Sequence, residues 1–157
     1  MGTRHVSDSL ALALIDLVGM LNSPRQDEIL LREAGVSLDR ALFPLLVRIG
    51  MSKSLNISEL AQQVGRDHST VSRQTAKLEK LGLIRRTPGR VDQRVREAVI
   101  SADGRRMVDA ISKARRRLFG QMLADWTDAE VQTLSRLNRR LADAMSAGQE
   151  SFRTIQS

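Results

Sequence analysis

The chain contains no cysteine, and this absence removes several classes of function at once. Thiol catalysis, zinc–thiolate sites, iron–sulfur clusters and induction by thiol oxidation all need a cysteine sulfur. A chain of 157 residues also needs no disulfide to fold, because a domain of this size buries roughly 68–70% of the surface that its unfolded form exposes. Lack of cysteine is typical of an intracellular setting, and we expect a cytoplasmic protein.

Aromatic residues and long apolar runs are also scarce. Aromatic side chains make up 3% of the chain, which weighs against the reading of single-stranded RNA, where bases stack on aromatic platforms. The longest apolar stretch, Leu10 to Leu21, has 12 residues and contains Asp16. A helix that spans a membrane needs about 20 apolar residues, so we expect no membrane partner.

Motifs for catalysis and metal binding are missing as well. There is no glycine-rich phosphate loop and no His-Glu-x-x-His, and the two histidines, His5 and His68, are 63 positions apart. A lone histidine is more often structural or exposed to solvent than a ligand or a base. We therefore predict no enzyme, no catalytic residue, no metal site and no cofactor.

Positive charge is concentrated in one segment of the chain. Residues 66–106 carry a net charge of +6, whereas residues 1–65 carry −1 and residues 107–157 carry +2. A local basic field indicates a polyanionic partner. A proteome that is rich in arginine everywhere would also give a basic chain, and composition alone leaves that alternative open.

The hydrophobic pattern predicts a mainly helical first part. The helix from Ser7 to Leu21 is apolar on most sides, which is typical of a buried helix, and we expect it to be covered by a second subunit. A second helix should run from Gln26 to Ala34. Ser37 is then placed to cap a helix from Leu38 to Ile49, and Pro44 inside that pattern should kink it.

Two short helices in the middle of the chain have the spacing of a helix-turn-helix. Asn56 and Glu59 have capping-box spacing and should begin a helix through Val64. After a turn that contains glycine, Asp67 can cap the next helix, from His68 to Leu81. Two short helices joined in this way are the signature of the motif.

The helix from His68 to Leu81 has two distinct faces. One should pack on the domain and consists of Val71, Thr75, Leu78 and Leu81. The other presents short hydrogen-bonding groups, which suit the major groove of DNA. It consists of Ser69, Ser72, Arg73, Ala76 and Lys80. An ordinary amphipathic helix with a solvated polar side fits the same pattern.

A basic β-hairpin follows this helix. We predict a strand over Leu83–Arg86, a turn over Thr87–Arg90 and a strand over Arg94–Ile100. The arginines of this region are Arg85, Arg86, Arg90, Arg94 and Arg96. A hairpin of this kind beside a helix-turn-helix forms a wing, which can lay arginine along phosphates or into the minor groove. Asp92 is placed to hold the guanidinium of Arg94 by a bidentate pair. A hairpin that is merely charged and solvated is the alternative.

Two long helices close the chain. Ser101 should cap a helix from Ala102 to Ala124, and Thr127 should cap a last helix that frays after Gly148. Their apolar residues recur at steps of three and four, as in helix bundles and coiled-coil seams. An intramolecular core would produce the same stripes, but together with the apolar first helix they favour a shared dimer interface.

In order and spacing, these segments resemble the MarR-type winged-helix transcription regulators. The resemblance extends from Ile57 to Gly104. It rests on Ile57–Ala61, Val64-Gly65, Ser69–Arg73, Leu78–Arg86, Asp92–Arg94 and Ile100–Gly104, the last similar to the family's Leu-Thr-x-x-Gly. No single piece is specific, but the ordered set is.

The resemblance implies a mainly α fold with a small β-hairpin wing. A winged helix-turn-helix domain at 37–101 would lie between dimerisation helices at 1–36 and 102–148, with a flexible tail at 149–157. The implied protein is a homodimer that binds a near-palindromic DNA duplex and regulates transcription. We expect a repressor that a small-molecule ligand relieves, although nothing in the sequence identifies the ligand.

The resemblance also implies roles for single residues. Base readout falls to Ser69, Thr70, Ser72 and Arg73, joined by His68 at the start of the helix. Phosphate and flanking contacts are expected from Gln74, Lys77, Lys80, Arg85 and Arg86. In the wing, Arg94, oriented by Asp92, would enter the minor groove. Gly89-Arg90 replaces the Asp-Pro usual in the family, so we expect a looser tip and an added contact from Arg90.

Two other classes of function stay open. An architectural DNA-binding protein with little sequence preference would use the same arginines on phosphates. A dimeric scaffold that binds protein would have no affinity for duplex DNA.

Overall fold

A computed structural model describes the backbone of residues 2–155 and the side chains of residues 6–148. Over this part of the chain the fold is mainly α with a small β wing, as the sequence predicts. The chain divides into two compact units, residues 1–116 and residues 117–157. The elements in order are α1 (Gly2–Leu21), α2 (Pro24–Ala34), α3 (Phe43–Met51), β1 (Leu55–Asn56), α4 (Ile57–Val64), α5 (His68–Lys80), β2 (Ile84–Pro88), β3 (Arg96–Ile100), α6 (Ala102–Met122) and α7 (Asp128–Ile155).

The three strands form one antiparallel sheet in the order β1-β3-β2. Ile84 pairs with Ile100 and Pro88 with Arg96, so the loop of the hairpin runs from residue 89 to residue 95. The first strand therefore ends at Pro88 rather than at the predicted Arg86. The second strand begins at Arg96 rather than at the predicted Arg94. β1, which pairs Leu55 with Ala98, is missing from the prediction because two residues are too short to show a strand period.

The first unit has a core that fixes the orientation of α5. Val71, Thr75 and Leu78 of α5 are fully buried, as predicted. The Thr75 Oγ1 donates to the Val71 carbonyl at 2.7 Å, which satisfies the one buried polar side chain among them. Leu81, expected on the same face, is instead exposed, because the helix ends at Lys80 and the chain turns away there.

The start of α3 differs from the sequence prediction. Residues 36–39 have no regular structure, and the helix begins at Phe43 rather than at Leu38. The Asp39 carboxylate accepts from the Ala41 N–H at 2.8 Å, and this turn precedes the helix. Pro44 consequently lies in the first helical turn, where its missing N–H leaves no hydrogen bond unmade, and the expected kink is absent from α3.

A second apolar cluster in the first unit joins α2, α3 and α6. It consists of Leu31, Phe43, Val47 and Ile111. At the start of α6, the Ser101 Oγ accepts from the Gly104 N–H at 3.0 Å and donates to the Gly82 carbonyl at 2.6 Å. This cap, which the sequence predicts, fixes α6 to the end of the hairpin.

The capped start of α7 is also as predicted. The Thr127 Oγ1 accepts from the Glu130 N–H at 3.3 Å, and the Glu130 carboxylate accepts from the Thr127 N–H at 2.8 Å. The sequence predicts that the helix frays after Gly148, but in the structure it continues to Ile155. Residues 156 and 157 of the predicted tail lie outside the described residues.

The apolar residues of α1 are largely exposed within one chain. Leu12, Ile15 and Met20 each expose about two thirds of their surface, at 64%, 65% and 64%. In the described residues, no single helix is both long and apolar enough to cross a membrane, although the bent pair Val6–Leu21 and Pro24–Ala34 meets the same criteria of length and composition at an angle of 53°.

Candidate nucleic-acid interface

The first turn of α5 is held by an aspartate cap. The Asp67 carboxylate accepts from the Thr70 N–H at 2.8 Å and from the Ser69 hydroxyl at 2.7 Å. Hydrogen bonds from the side chains of Thr70 and Ser69 and from the backbone of Thr70 hold the pKa of Asp67 far below its ordinary value. The cap thus orders the turn that carries the first predicted base-reading residues, and it leaves the Ser69 oxygen free to accept.

The solvent-facing side of α5 carries the residues predicted to contact DNA. His68, Ser69, Arg73, Lys77 and Lys80 are exposed, and Thr70, Ser72 and Gln74 are partly buried. The Arg73 Nη2 donates to the Thr70 Oγ1 at 3.3 Å, so these two side chains are already joined in the free chain. The structure therefore brings the predicted base-reading residues together on one accessible surface, which we call the α5 surface.

Gln74 has a partner inside the chain that the sequence does not reveal. The Arg66 Nη1 donates to the Gln74 Oε1 at 2.9 Å and to the Ala41 carbonyl at 2.6 Å. Arg66 lies in the turn between α4 and α5 and is partly buried. Its only signal in the sequence is its place in that turn, since its two partners are 8 and 25 positions away.

A carboxylate of α2 lies near the same arginine. The pKa of Asp27 is raised by partial burial, against the opposing effect of the positive charges of Arg40 and Arg66. Arg66 is thus close to three segments of the first unit: α2, the turn before α3, and α5.

The wing contacts the end of α5 through an ion pair. The Arg86 Nε on β2 lies 3.3 Å from the Glu79 Oε2 on α5. The Nε and Nη2 atoms of Arg86 are closed off from solvent and make no hydrogen bond with ordinary geometry. Arg86 is predicted to contact phosphate, and this pair gives it a partner inside the chain. Arg85, its neighbour on the same strand, is exposed.

At the tip of the wing, Asp92 contacts the backbone rather than the guanidinium of Arg94. Its Oδ1 accepts from the Arg94 N–H at 2.9 Å. The structure forms this contact in place of the expected bidentate pair, because a carboxylate two residues before an N–H closes a short local turn. The side chains of Arg90 and Arg94 both remain exposed.

Gly89 closes the same tip. Its N–H donates to the Val95 carbonyl at 2.7 Å, and a Cβ at this position would come within 2.6 Å of the Asp92 carbonyl oxygen. Only glycine fits so close an approach of two backbone segments. The glycine therefore permits the hydrogen bond that closes the tip, and the looser tip expected from the sequence stays a prediction.

The described residues hold no group of three or more histidine, cysteine, aspartate or glutamate side chains that could bind a metal ion. The α5 surface and the wing instead present cations and hydrogen-bonding groups. A capped helix carrying such groups beside an arginine-bearing hairpin defines the winged helix-turn-helix class of DNA-binding proteins.

Comparison with known proteins shows to which family the chain belongs. Residues 38–95 match the model of the MarR family. The chain is 32% identical to the HTH-type transcriptional regulator YxaD of Bacillus subtilis over 108 residues, which cover 69% of this chain and 76% of that protein. The chain belongs to the MarR family of transcriptional regulators, which bind DNA.

Solved structures show the same fold. A MarR family protein from Bacillus stearothermophilus matches with a TM-score of 0.73 and 20% identity, over 93% of this chain and 99% of that one. The heme sensor protein PefR, crystallised with heme and carbon monoxide, matches with a TM-score of 0.53 and 24% identity, over 88% and 94% of the two chains.

Proposed function

We propose that the protein is a homodimeric, sequence-specific regulator that acts in the cytoplasm on near-palindromic DNA sites. The observation that carries this proposal is the α5 surface, which is ordered by the Asp67 cap and lies on a helix whose opposite face is fully buried. A rigid helix that presents small polar groups and one arginine is suited to discriminate bases in the major groove.

Base readout is assigned to the first two turns of α5. The N-terminal residues of a recognition helix meet base edges, whereas residues further along meet the backbone. The proposed base-reading residues are His68, Ser69, Thr70, Ser72 and Arg73. The proposed phosphate and flanking contacts are Gln74, Lys77, Lys80, Arg85 and Arg86. For Arg86, a phosphate contact would have to coexist with the Glu79 ion pair.

The wing is proposed to bind the minor groove through Arg90 and Arg94. Both are exposed at the tip of the hairpin, and the narrow minor groove attracts guanidinium groups by its negative potential. Asp92 contributes by fixing the backbone at Arg94, through the 2.9 Å hydrogen bond to its N–H.

Dimerisation is assigned to the helices at 1–36 and 102–148. Several large apolar side chains of α1 are exposed in the single chain, as are Leu134, Leu137 and Met145 of α7. Exposed apolar surface on this scale is typical of an interface with another protein. Sedimentation equilibrium should give twice the mass of one chain, and a monomer that binds DNA with full affinity would contradict this assignment.

Repression relieved by a small molecule is the regulatory part of the proposal. The fold holds heme in PefR, which supports the idea that this architecture can accept a ligand. A ligand that favours one arrangement of the two DNA-binding domains would change the distance between their recognition helices. Half-sites about 34–36 Å apart tolerate little change in that distance.

Selection of bound fragments from a random duplex library tests the proposal as a whole. We expect enrichment of two inverted half-sites separated by one helical turn. Enrichment without any motif would favour an architectural protein, and the absence of any bound DNA would favour a protein scaffold. Arg73→Ala should relax the base preference at one or two positions, and an unchanged preference would contradict its base-reading role.

A further inference from the structure

Arg66 occupies a special place in the helix-turn-helix. It lies between α4 and α5, and a single nitrogen of its guanidinium, Nη1, bonds both the Gln74 Oε1 at 2.9 Å and the Ala41 carbonyl at 2.6 Å. The arginine is partly buried. In the described part of the chain, Gln74 is the only residue proposed to contact DNA that Arg66 hydrogen-bonds. It therefore tethers one side chain of the recognition helix to the turn that precedes α3.

The chemistry of the two groups fixes which way the Gln74 amide points. A guanidinium has five donors and no acceptor, so only the oxygen of the amide can face it. The amide nitrogen of Gln74, with its two N–H donors, is left on the opposite side. This orientation follows from the identity of the partner alone.

The consequence concerns what Gln74 can read. A free glutamine pairs with adenine through two bonds, in which its oxygen accepts from N6 and its nitrogen donates to N7. In this chain the oxygen is already engaged. A carbonyl oxygen has a second lone pair, so this bond does not by itself exclude adenine. What it fixes is the direction of the amide, whose two N–H donors lie away from Arg66 and can bond an acceptor, such as a phosphate oxygen or the O6 and N7 atoms of guanine.

We propose that Arg66 is a positioning residue that fixes the amide of Gln74, so that α5 presents the two N–H donors of this side chain. Gln74 then donates to a hydrogen-bond acceptor on the DNA. The inference rests on the proposed entry of α5 into the major groove.

The first test is a double-mutant cycle on affinity for the selected DNA site. Arg66→Met and Gln74→Ala should each weaken binding by roughly 10-fold, and the double variant should be no weaker than Gln74→Ala alone, because Arg66 acts through Gln74. Arg66→Lys should restore binding, since one ammonium can donate to both oxygens. If the loss of affinity in the double variant equals the product of the two single losses, the proposal is overturned. It is also overturned if Arg66→Lys does not restore binding.

The second test separates donor from acceptor on Gln74 itself. Gln74→Glu keeps an oxygen for Arg66 but removes both donors, and we expect a loss of at least about 10-fold. Gln132→Glu, the same change on an exposed glutamine of α7, is the matched control and should change binding less than twofold. Equal effects of the two substitutions would overturn the proposal.

Selection from random duplexes identifies the acceptor. In the Arg66→Met variant the Gln74 amide is no longer held, and any base preference that Gln74 sets in the wild type should relax at one position. A wild-type preference for guanine there would identify a base edge as the partner, and a loss of affinity without a change in base preference would identify a phosphate. If the affinity and the base preference of this variant both equal those of the wild type, the proposal is overturned.

Two controls keep these outcomes clear. Thermal unfolding shows whether Arg66→Met is folded at the assay temperature, and Gln74→Glu, which retains the Arg66 contact, gives the answer if it is not. Arg73→Ala distinguishes a failure of this inference from a failure of the proposed function. If it alters base preference while the Arg66 and Gln74 variants do nothing, the inference fails and the proposed function stands. If no α5 variant has any effect, the proposed function fails.

Discussion

The carboxylate of Glu79 and the guanidinium of Arg86 join the end of α5 to β2, the first strand of the wing, with 3.3 Å between Oε2 and Nε. α5 is proposed to contact the major groove, and β2 leads into the loop whose Arg90 and Arg94 are proposed to enter the minor groove. Their relative orientation sets which base pairs can be contacted at the same time. The pair is therefore a structural link between the two parts of the proposed interface.

Glu79→Gln should destabilise the protein measurably. The Arg86 side chain is only 25% exposed, and its Nε and Nη2 are closed off from solvent, so neutralising Glu79 leaves a poorly solvated cation without a counter-charge. We expect a loss of about 1–2 kcal/mol in the free energy of unfolding, measured by chemical denaturation. The control is Asp103→Asn, which removes the exposed pair with Arg106 and should cost less than about 0.5 kcal/mol. Equal losses would show that the Glu79 pair behaves as an ordinary surface contact.

Gly104→Ala should destabilise the junction between the hairpin and α6. A Cβ at residue 104 would overlap the Leu83 carbonyl and lie 2.9 Å from the Ile100 Cγ1. Overpacking against backbone costs about 1–3 kcal/mol, which a fall in melting temperature would report. Gly120→Ala in the same helix has open space around its Cβ and should stabilise the protein by about 0.5–1 kcal/mol. A neutral Gly104→Ala would mean that α6 docks less closely than described.

The cap of α5 predicts a specific dependence on pH. The pKa of the Asp67 carboxyl is lower in the folded chain than its ordinary value of 3.8, so the charged carboxylate contributes stability above that value. This contribution is lost as the pH falls below about 4 toward the lower pKa of the folded state. Asp67→Asn retains a capping oxygen but does not titrate. The stability of the wild type relative to Asp67→Asn should therefore decrease on acidification, as measured by unfolding at a series of pH values; a constant difference would contradict the cap.

Local signals explain what the sequence predicts well. The caps at Asn56, Asp67, Ser101 and Thr127 depend on residues three positions apart, and each is formed as predicted. The buried face of α5 follows from the helical period, which a single segment displays in full. These features need no knowledge of the rest of the fold.

Three features are predicted wrongly or not at all, each for its own physical reason. Leu38 is partly buried against the core without being helical, so its apolar character gave the same pattern as a helix that begins at Leu38. The bonds of Arg66 to Gln74 and Ala41 connect positions that only the folded chain brings together. The Asp92 contact shows a third case, because a carboxylate near an arginine can bind its backbone as well as its side chain.

Arg94→Ala tests the assigned role of the wing. Removing one guanidinium from a phosphate-lined groove should weaken binding to all duplexes and reduce the slope of log affinity against log salt by about 0.9. Fluorescence anisotropy over a range of salt concentrations measures that slope. Arg139→Ala, which removes an exposed charge from α7, is the matched control and should leave the slope unchanged. If the two variants share one slope with the wild type, the wing does not bind the DNA backbone.

The α5 surface is proposed to read sequence, and a competition experiment measures this directly. The protein is bound to a labelled site obtained by selection, and unlabelled random duplex is added at moderate salt. We expect the specific complex to survive until random DNA exceeds the site by a factor of about 10³ or more. Displacement by an equal amount of random duplex would contradict it, because the protein would then be binding charge rather than sequence.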